Sequence, residues 1–143
     1  MTIATAPAHK HRILIVEDDP DIQILLRVLL TRQNYEVSSA DSGVTALDAL
    51  AQALPDLILL DMAMPDMDGL TFLQRRAEIA AYRDIPVIVV SARDSNADVM
   101  AALDMGADHY VTKPFDNPKL LASIGRLLVP PDQPDNPPVS LFR

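Results

Sequence analysis

Four short stretches of this chain carry residue types that could do chemistry together. Glu17, Asp18 and Asp19 follow one apolar run, Asp61 a second, Ser91 and Ala92 a third, and Lys113-Pro114 a fourth. If each run is a strand of one open parallel sheet, all of these groups lie just past a carboxyl end, where such sheets bind ligands. Crowded carboxylates repel and resist ionisation unless a cation stands among them. An all-oxygen donor set suits a hard divalent ion such as Mg2+ better than zinc. A lysine facing the same acids has little place in a metal cage alone, but a doubly charged phosphoryl group held between metal and ammonium would use both. The Ser91 hydroxyl could donate to a third phosphoryl oxygen. Aspartate is a competent nucleophile for phosphoryl transfer, giving an acyl phosphate.

The elements needed to bring these groups together are legible as alternating short β-rich runs and longer stretches with helical spacing. Strands are expected at 12–16, 35–39, 57–60, 86–90 and 109–112. Most hold consecutive apolar residues without strict alternation, as parallel strands covered on both faces do. A first helix places Ile22, Leu25, Leu26 and Leu29 on one stripe behind Asp19 as N-cap and Pro20 at its first position. A second repeats the spacing with Val44, Leu47, Leu50, Ala51 and Leu54 behind Ser42, ending at Pro55. A third carries Leu70, Leu73, Ala77 and Ala80 after Gly69. The fourth, 95–105, opens on Ser95-Asn-Ala-Asp98, close to a capping box, and is the least apolar. The last, about 118–128, turns Leu120, Leu121, Ile124 and Leu128 inward.

Composition bounds what surrounds this body. A chain of 143 residues, 49% hydrophobic, fits one domain with a real core. Twelve Lys+Arg against 20 Asp+Glu give a net charge of -8, which opposes direct nucleic-acid binding. There is no cysteine, so disulfides, thiolate metal sites and cysteine nucleophiles are excluded. No apolar run reaches the roughly 18 residues a membrane helix needs, and the first ten residues lack a signal peptide's apolar core, so a cytoplasmic protein without membrane contact is expected. The organisation read from this is a flexible extension at 1–11, one domain at 12–128 and a Pro-rich, unstructured tail at 129–143. His9, His11 and His109 form no ligand-like arrangement and are expected at the surface.

The motifs, in order, are Ile13-Leu-Ile-Val-Glu17-Asp18-Asp19, Leu57-Ile-Leu-Leu-Asp61-Met-Ala-Met-Pro65-Asp-Met-Asp68-Gly69, Val89-Val-Ser91-Ala92 and Gly106-Ala107-Asp108-His-Tyr110-Val-Thr-Lys113-Pro114-Phe115. Together they resemble the receiver domain of two-component response regulators, over about 12–128. The resemblance implies a doubly wound, flavodoxin-like α/β fold: a five-stranded parallel sheet of order 2-1-3-4-5 flanked by five helices. It implies Asp61 as phosphoacceptor, Asp18 as a direct Mg2+ ligand, Glu17 acting partly through water, and the backbone carbonyl of Ala63 as a further ligand, with Mn2+ a possible substitute for Mg2+. It also implies Lys113 as the phosphate-contacting lysine, Ser91 as the switch hydroxyl and Tyr110 as the aromatic that follows it. Asp19, Asp68 and Gly69 are left with structural roles, and Lys113-Pro114 is a candidate cis peptide.

By the same resemblance, the phosphoryl donor is a sensor histidine kinase or a phosphotransfer protein. The reader is a downstream protein partner that recognises the surface of the fourth helix, fifth strand and last helix. Ala63 and Arg93 line the approach to the phosphoryl group. At positions where the DNA-binding subfamily pairs an acid with an arginine across a dimer, this chain has Lys119 and Ser123. Three other readings make different demands on these residues. A haloacid-dehalogenase-type phosphatase would need a second Asp where Ala63 stands, a pseudo-receiver would lack one of the site groups, and a flavin-binding module would need a Ser/Thr/Gly-rich loop after the first strand.

Overall fold

Runs such as Leu57-Ile-Leu-Leu60 are apolar at every position because both faces of the strand are covered. In the computed structural model, which describes residues 10–128, β1 (Arg12–Val16), β2 (Glu36–Ala40), β3 (Leu57–Leu60), β4 (Val87–Ser91) and β5 (His109–Thr112) form one parallel sheet of order β2-β1-β3-β4-β5. Among the described residues six helical segments join and cover them: α1 (Pro20–Arg32), α2 (Gly43–Gln52), α3 (Gly69–Ala77), α4 (Ala80–Arg83), α5 (Asn96–Asp104) and α6 (Asn117–Leu128).

Successive strand residues point to opposite faces, so the core divides in two. Ile13, Ile15, Leu57, Leu59, Ile88 and Val90 meet Leu26 and Leu30 of α1 and Leu120 and Ile124 of α6. Leu14, Val16, Ile58, Leu60, Val87 and Val89 meet Ala46 and Leu50 of α2, Phe72 and Leu73 of α3 and Ala102 of α5. The two layers are clamped by the central strands, and the polar groups at the strands' carboxyl ends inherit that rigidity.

The structure departs from the sequence expectations in several places, each with a local cause. Strand β2 begins at Glu36 rather than Tyr35, because Asn34 turns with φ 68° and the Tyr35 N–H closes back onto the Leu30 carbonyl. Strand β4 runs one residue later than expected, since Pro86 has no N–H to give the ladder and Ser91 pairs with Thr112. The expected third helix is broken: Glu78 caps α3 and Ile79 is extended, so Ala80 begins a separate turn and the flanking helical segments number six rather than five. Buried Arg76 sits beside this break and donates to the carbonyls of Arg83 and Ile85 (2.8 and 2.7 Å).

On α2 the inward stripe is Gly43, Ala46 and Leu50, while Val44 and Leu54 are half exposed; on α1, Leu25 faces outward and Leu30 takes its place. Helix α6 opens at Asn117, and Ser95 and Met105 flank α5 as its caps. His109 is exposed as expected, whereas His11 is half-buried with Nδ1 3.8 Å from Asp56 Oδ2. His9, most of the expected 1–11 extension and the Pro-rich 129–143 segment lie outside the described residues. Among the described residues no helix is long and apolar enough to cross a membrane.

Candidate functional site

Strand order brings the chemistry-bearing positions to one rim. β1 leads into Glu17 and Asp18, β3 into Asp61, β4 ends on Ser91, and β5 leads into Lys113. Main-chain bonds extend the ladders past the strands to hold these groups: Glu17 N–H to the Ala40 carbonyl (3.0 Å), Asp61 N–H to Val16 (2.9 Å) and Lys113 N–H to Ser91 (2.9 Å). The Gln23 side-chain amide donates to the carbonyls of Glu17 and Ala40, fixing the acidic loop from the α1 side.

Glu17, Asp61 and Ser91 are buried, with 2%, 5% and 0% of their surface exposed; Asp18 is exposed. One carboxylate oxygen from each of Glu17, Asp18 and Asp61 lies within 4.8 Å of the others. Lys113 Nζ stands 2.8 Å from Glu17 Oε1 and 3.9 Å from Asp61 Oδ1, and the Lys113-Pro114 peptide is cis. Burial pushes the Glu17 carboxyl up to about 7. The Lys113 hydrogen bond opposes that rise and the neighbouring Asp61 charge adds to it. One ammonium therefore does not compensate the cluster, and a hard cation with oxygen ligands fits what remains. Ala63 follows in the loop wall, its N–H donating to Asp61 Oδ1 at 3.3 Å.

Glu17, Asp18, Asp61 and Lys113 are thus brought together, and Ser91 and Tyr110 meet at the end of the neighbouring strand pair. Ser91 Oγ accepts from the Arg93 N–H (3.1 Å), and the Tyr110 hydroxyl donates to the Arg93 carbonyl (2.6 Å). Burial raises the Tyr110 phenol above its ordinary value, with the Ser91 hydroxyl opposing, so the phenol stays a donor. The structural roles expected of three residues hold. Asp19 caps α1 through the Asp21 N–H, and Asp68 caps α3 through the Thr71 N–H. Gly69 makes room: a Cβ there would lie 2.7 Å from Met62 Cα and 2.9 Å from the Asp61 carbonyl oxygen.

Gln23, Arg76 and Asp66 make contacts that matter to this site or its surroundings without a sequence motif of their own. Gln23 sits one turn beyond the acidic run, which is a usable signal. Arg76 and Asp66 have none, because their partners are remote or main-chain groups.

Comparison with known proteins places this geometry. The family described as response regulator receiver domain matches residues 13–125. The transcriptional regulatory protein KdpE of Staphylococcus aureus is 45% identical over 113 residues, which is 79% of this chain and 48% of KdpE. The chain spans about half the length of the curated relatives it matches. The signal receiver domain of a signal transduction histidine kinase from Syntrophus aciditrophicus superposes with a TM-score of 0.77 at 35% identity, covering 82% of this chain and 89% of that one. The receiver domain of sensor histidine kinase PA1611 from Pseudomonas aeruginosa, solved with a magnesium ion coordinated in its active site cleft, gives 0.78 at 27% identity, covering 84% and 98%. The phosphatase and flavin-module rivals fall away: this chain belongs to the response regulator receiver domain family, the signalling receivers of two-component systems rather than classical enzymes.

Proposed function

We propose that Asp61 accepts a phosphoryl group from a phosphohistidine on a sensor histidine kinase or phosphotransfer protein. An Asp61 carboxylate oxygen attacks phosphorus, the P–N bond to the imidazole breaks, and the imidazole leaves with the bonding electron pair. The observation that carries this reading is the buried Asp61 carboxylate with the Lys113 ammonium 3.9 Å away and Glu17 and Asp18 in reach of a shared ion. Glu17, Asp18, Asp61 and the Ala63 carbonyl are the groups that would hold Mg2+, or Mn2+ in its place. When bound, the ion neutralises the acids and stabilises charge on the transferred oxygens. Lys113 neutralises a further phosphoryl oxygen, and the Ser91 hydroxyl donates to another. The magnesium-bearing cleft of the PA1611 receiver supports the assignment.

The output is a change of surface. Ser91 and Tyr110 are joined through the two ends of one residue, since Arg93 gives its N–H to Ser91 and its carbonyl to Tyr110. Drawing Ser91 toward a phosphoryl oxygen would disturb that N–H contact, shift the loop into α5 and free Tyr110 to move. The face of α5, β5 and α6 would then change shape for a downstream protein partner. Helix α5 suits this role because only Ala102 of its residues is buried. The transcriptional function in KdpE's name belongs to a protein about twice the span matched here. Intact mass after incubation with a small phosphodonor and Mg2+ tests the proposal: one added phosphoryl group on wild type and none on Asp61→Asn is expected. An unmodified wild type would favour a pseudo-receiver.

A further inference from the structure

The loop between β3 and α3, residues 62–68, carries the Ala63 main chain beside Asp61; the Gly69 N–H closes it on the Met62 carbonyl (2.9 Å), and aspartate side chains hold it at three places. Near its start the Ala63 N–H donates to Asp61 Oδ1, and at its end Asp68 caps α3. Between them Asp66 reaches a different element. Its Oδ1 accepts from the Gly43 N–H and its Oδ2 from the Val44 N–H, both at 3.2 Å and more than 20 residues away in sequence.

The first N–H groups of a helix have no carbonyl partners within it. In α2 the Thr45 N–H goes to Ser42 Oγ (3.1 Å), and the Ala46 N–H starts the helical ladder on the Ser42 carbonyl (3.0 Å). Gly43 and Val44 are the two remaining donors, and one carboxylate takes both. Negative charge is favoured at this end of a helix. Packing reinforces the contact independently: a Cβ at Gly43 would lie 2.7 Å from Met67 Cβ, so glycine at the first helical position lets the loop lie this close.

We propose, resting on the site reading above, that Asp66 is a positioning residue of the phosphoryl site. Clamped on the first two N–H groups of α2, it holds the loop after Asp61, and with it the Ala63 main chain, in the arrangement that forms the site, without touching the ion or the phosphoryl group. The Asp66 carboxylate also meets the main-chain N–H groups of its own turn, at Asp66 and Met67, but its bonds to Gly43 and Val44 go further and tie the loop to a helix on a neighbouring connection.

The test is Mg2+ affinity by calorimetry and backbone amide exchange on the full chain, for wild type, Asp66→Ala, Asp66→Asn and Ser42→Ala. Asp66→Ala is expected to weaken Mg2+ binding on the order of tenfold, the range lost when groups behind metal ligands are removed, and to speed exchange at Gly43, Val44 and Ala63. Asp66→Asn drops the charge but keeps one acceptor, and recovers part of the affinity. Ser42→Ala weakens the same helix end without touching the loop and leaves Mg2+ affinity unchanged.

Equal affinity in wild type and Asp66→Ala, or equal loss in Asp66→Ala and Ser42→Ala, overturns the positioning role. An Asn variant as weak as the Ala variant reduces Asp66 to a source of charge and overturns it too. A wild type that takes up no Mg2+ overturns instead the site reading beneath it, and is told apart because Asp66→Ala still speeds exchange at Gly43 and Val44.

Discussion

The bodies of β1, β3 and β4 and their carboxyl ends are adjacent stretches of the same chain, yet they are held by opposite physics. Within the strands, side chains such as Leu59 on one layer and Leu60 on the other are buried against apolar neighbours, and every such contact favours the folded state. A residue or two further on, Glu17 and Asp61 are nearly as buried, but two like charges share one ammonium and the Glu17 carboxyl resists ionising. The core thus holds the rim in place against its own repulsion, and the rim is stabilised when its negative charge is offset, by a cation or by a proton.

Truncating the core should produce the largest loss. Leu59→Ala is expected to cost about 2–5 kcal/mol of unfolding free energy, read from denaturant melts. A loss below about 1 kcal/mol would mean that the α1 and α6 layer is not packed as described. Supplying charge to the rim should act in the other direction. Mg2+ at a hundred times its dissociation constant should stabilise wild type by about 2.7 kcal/mol, and the gain should vanish in Asp61→Asn combined with Asp18→Asn.

Removing charge from the rim should also stabilise, in the absence of metal. Because the folded-state Glu17 carboxyl titrates near 7 rather than its ordinary 4.5, the native state holds more protons than the unfolded chain between those values. Stability must therefore fall as pH rises through that window. Glu17→Gln should remove this slope and be more stable than wild type at pH 7 without Mg2+ by about 2 kcal/mol, somewhat under the full 1.4 per unit because the rim is open to water on one side. A variant less stable than wild type there would show that the Lys113 contact outweighs burial. The smallest effect is expected at the edge of the rim. Tyr110→Phe removes one hydrogen bond to the Arg93 carbonyl, worth about 1 kcal/mol, while loosening α5 in amide exchange.

How much of this was legible follows the same division. The strands and the rim could be read because apolar runs and the polar residues ending them are local signals, and Asp61, Ser91 and Lys113 stand where the runs stop. Spacing could not reveal the break at Glu78 and Ile79, since Leu70, Leu73, Ala77 and Ala80 keep a helical period with no Gly or Pro between them. Nor does spacing say how a helix is rotated on the sheet, which is why Val44 and Leu54 were placed inward and lie outward. Arg76 and Asp66 were invisible because their partners are main-chain groups that only the fold brings near. The switch surface was read from resemblance, and the Arg93 peptide that joins Ser91 to Tyr110 became visible only with coordinates.

The acidic rim is read here as a carrier of a phosphoryl group on Asp61. That role is tested most directly by intact-mass measurement of wild type and Asp61→Asn after incubation with a small phosphodonor, with and without Mg2+. One added phosphoryl group is expected on wild type, dependent on Mg2+, and none on the Asn variant. Wild type left unmodified under conditions that label other receivers, or an Asn variant that still takes the label, would contradict it.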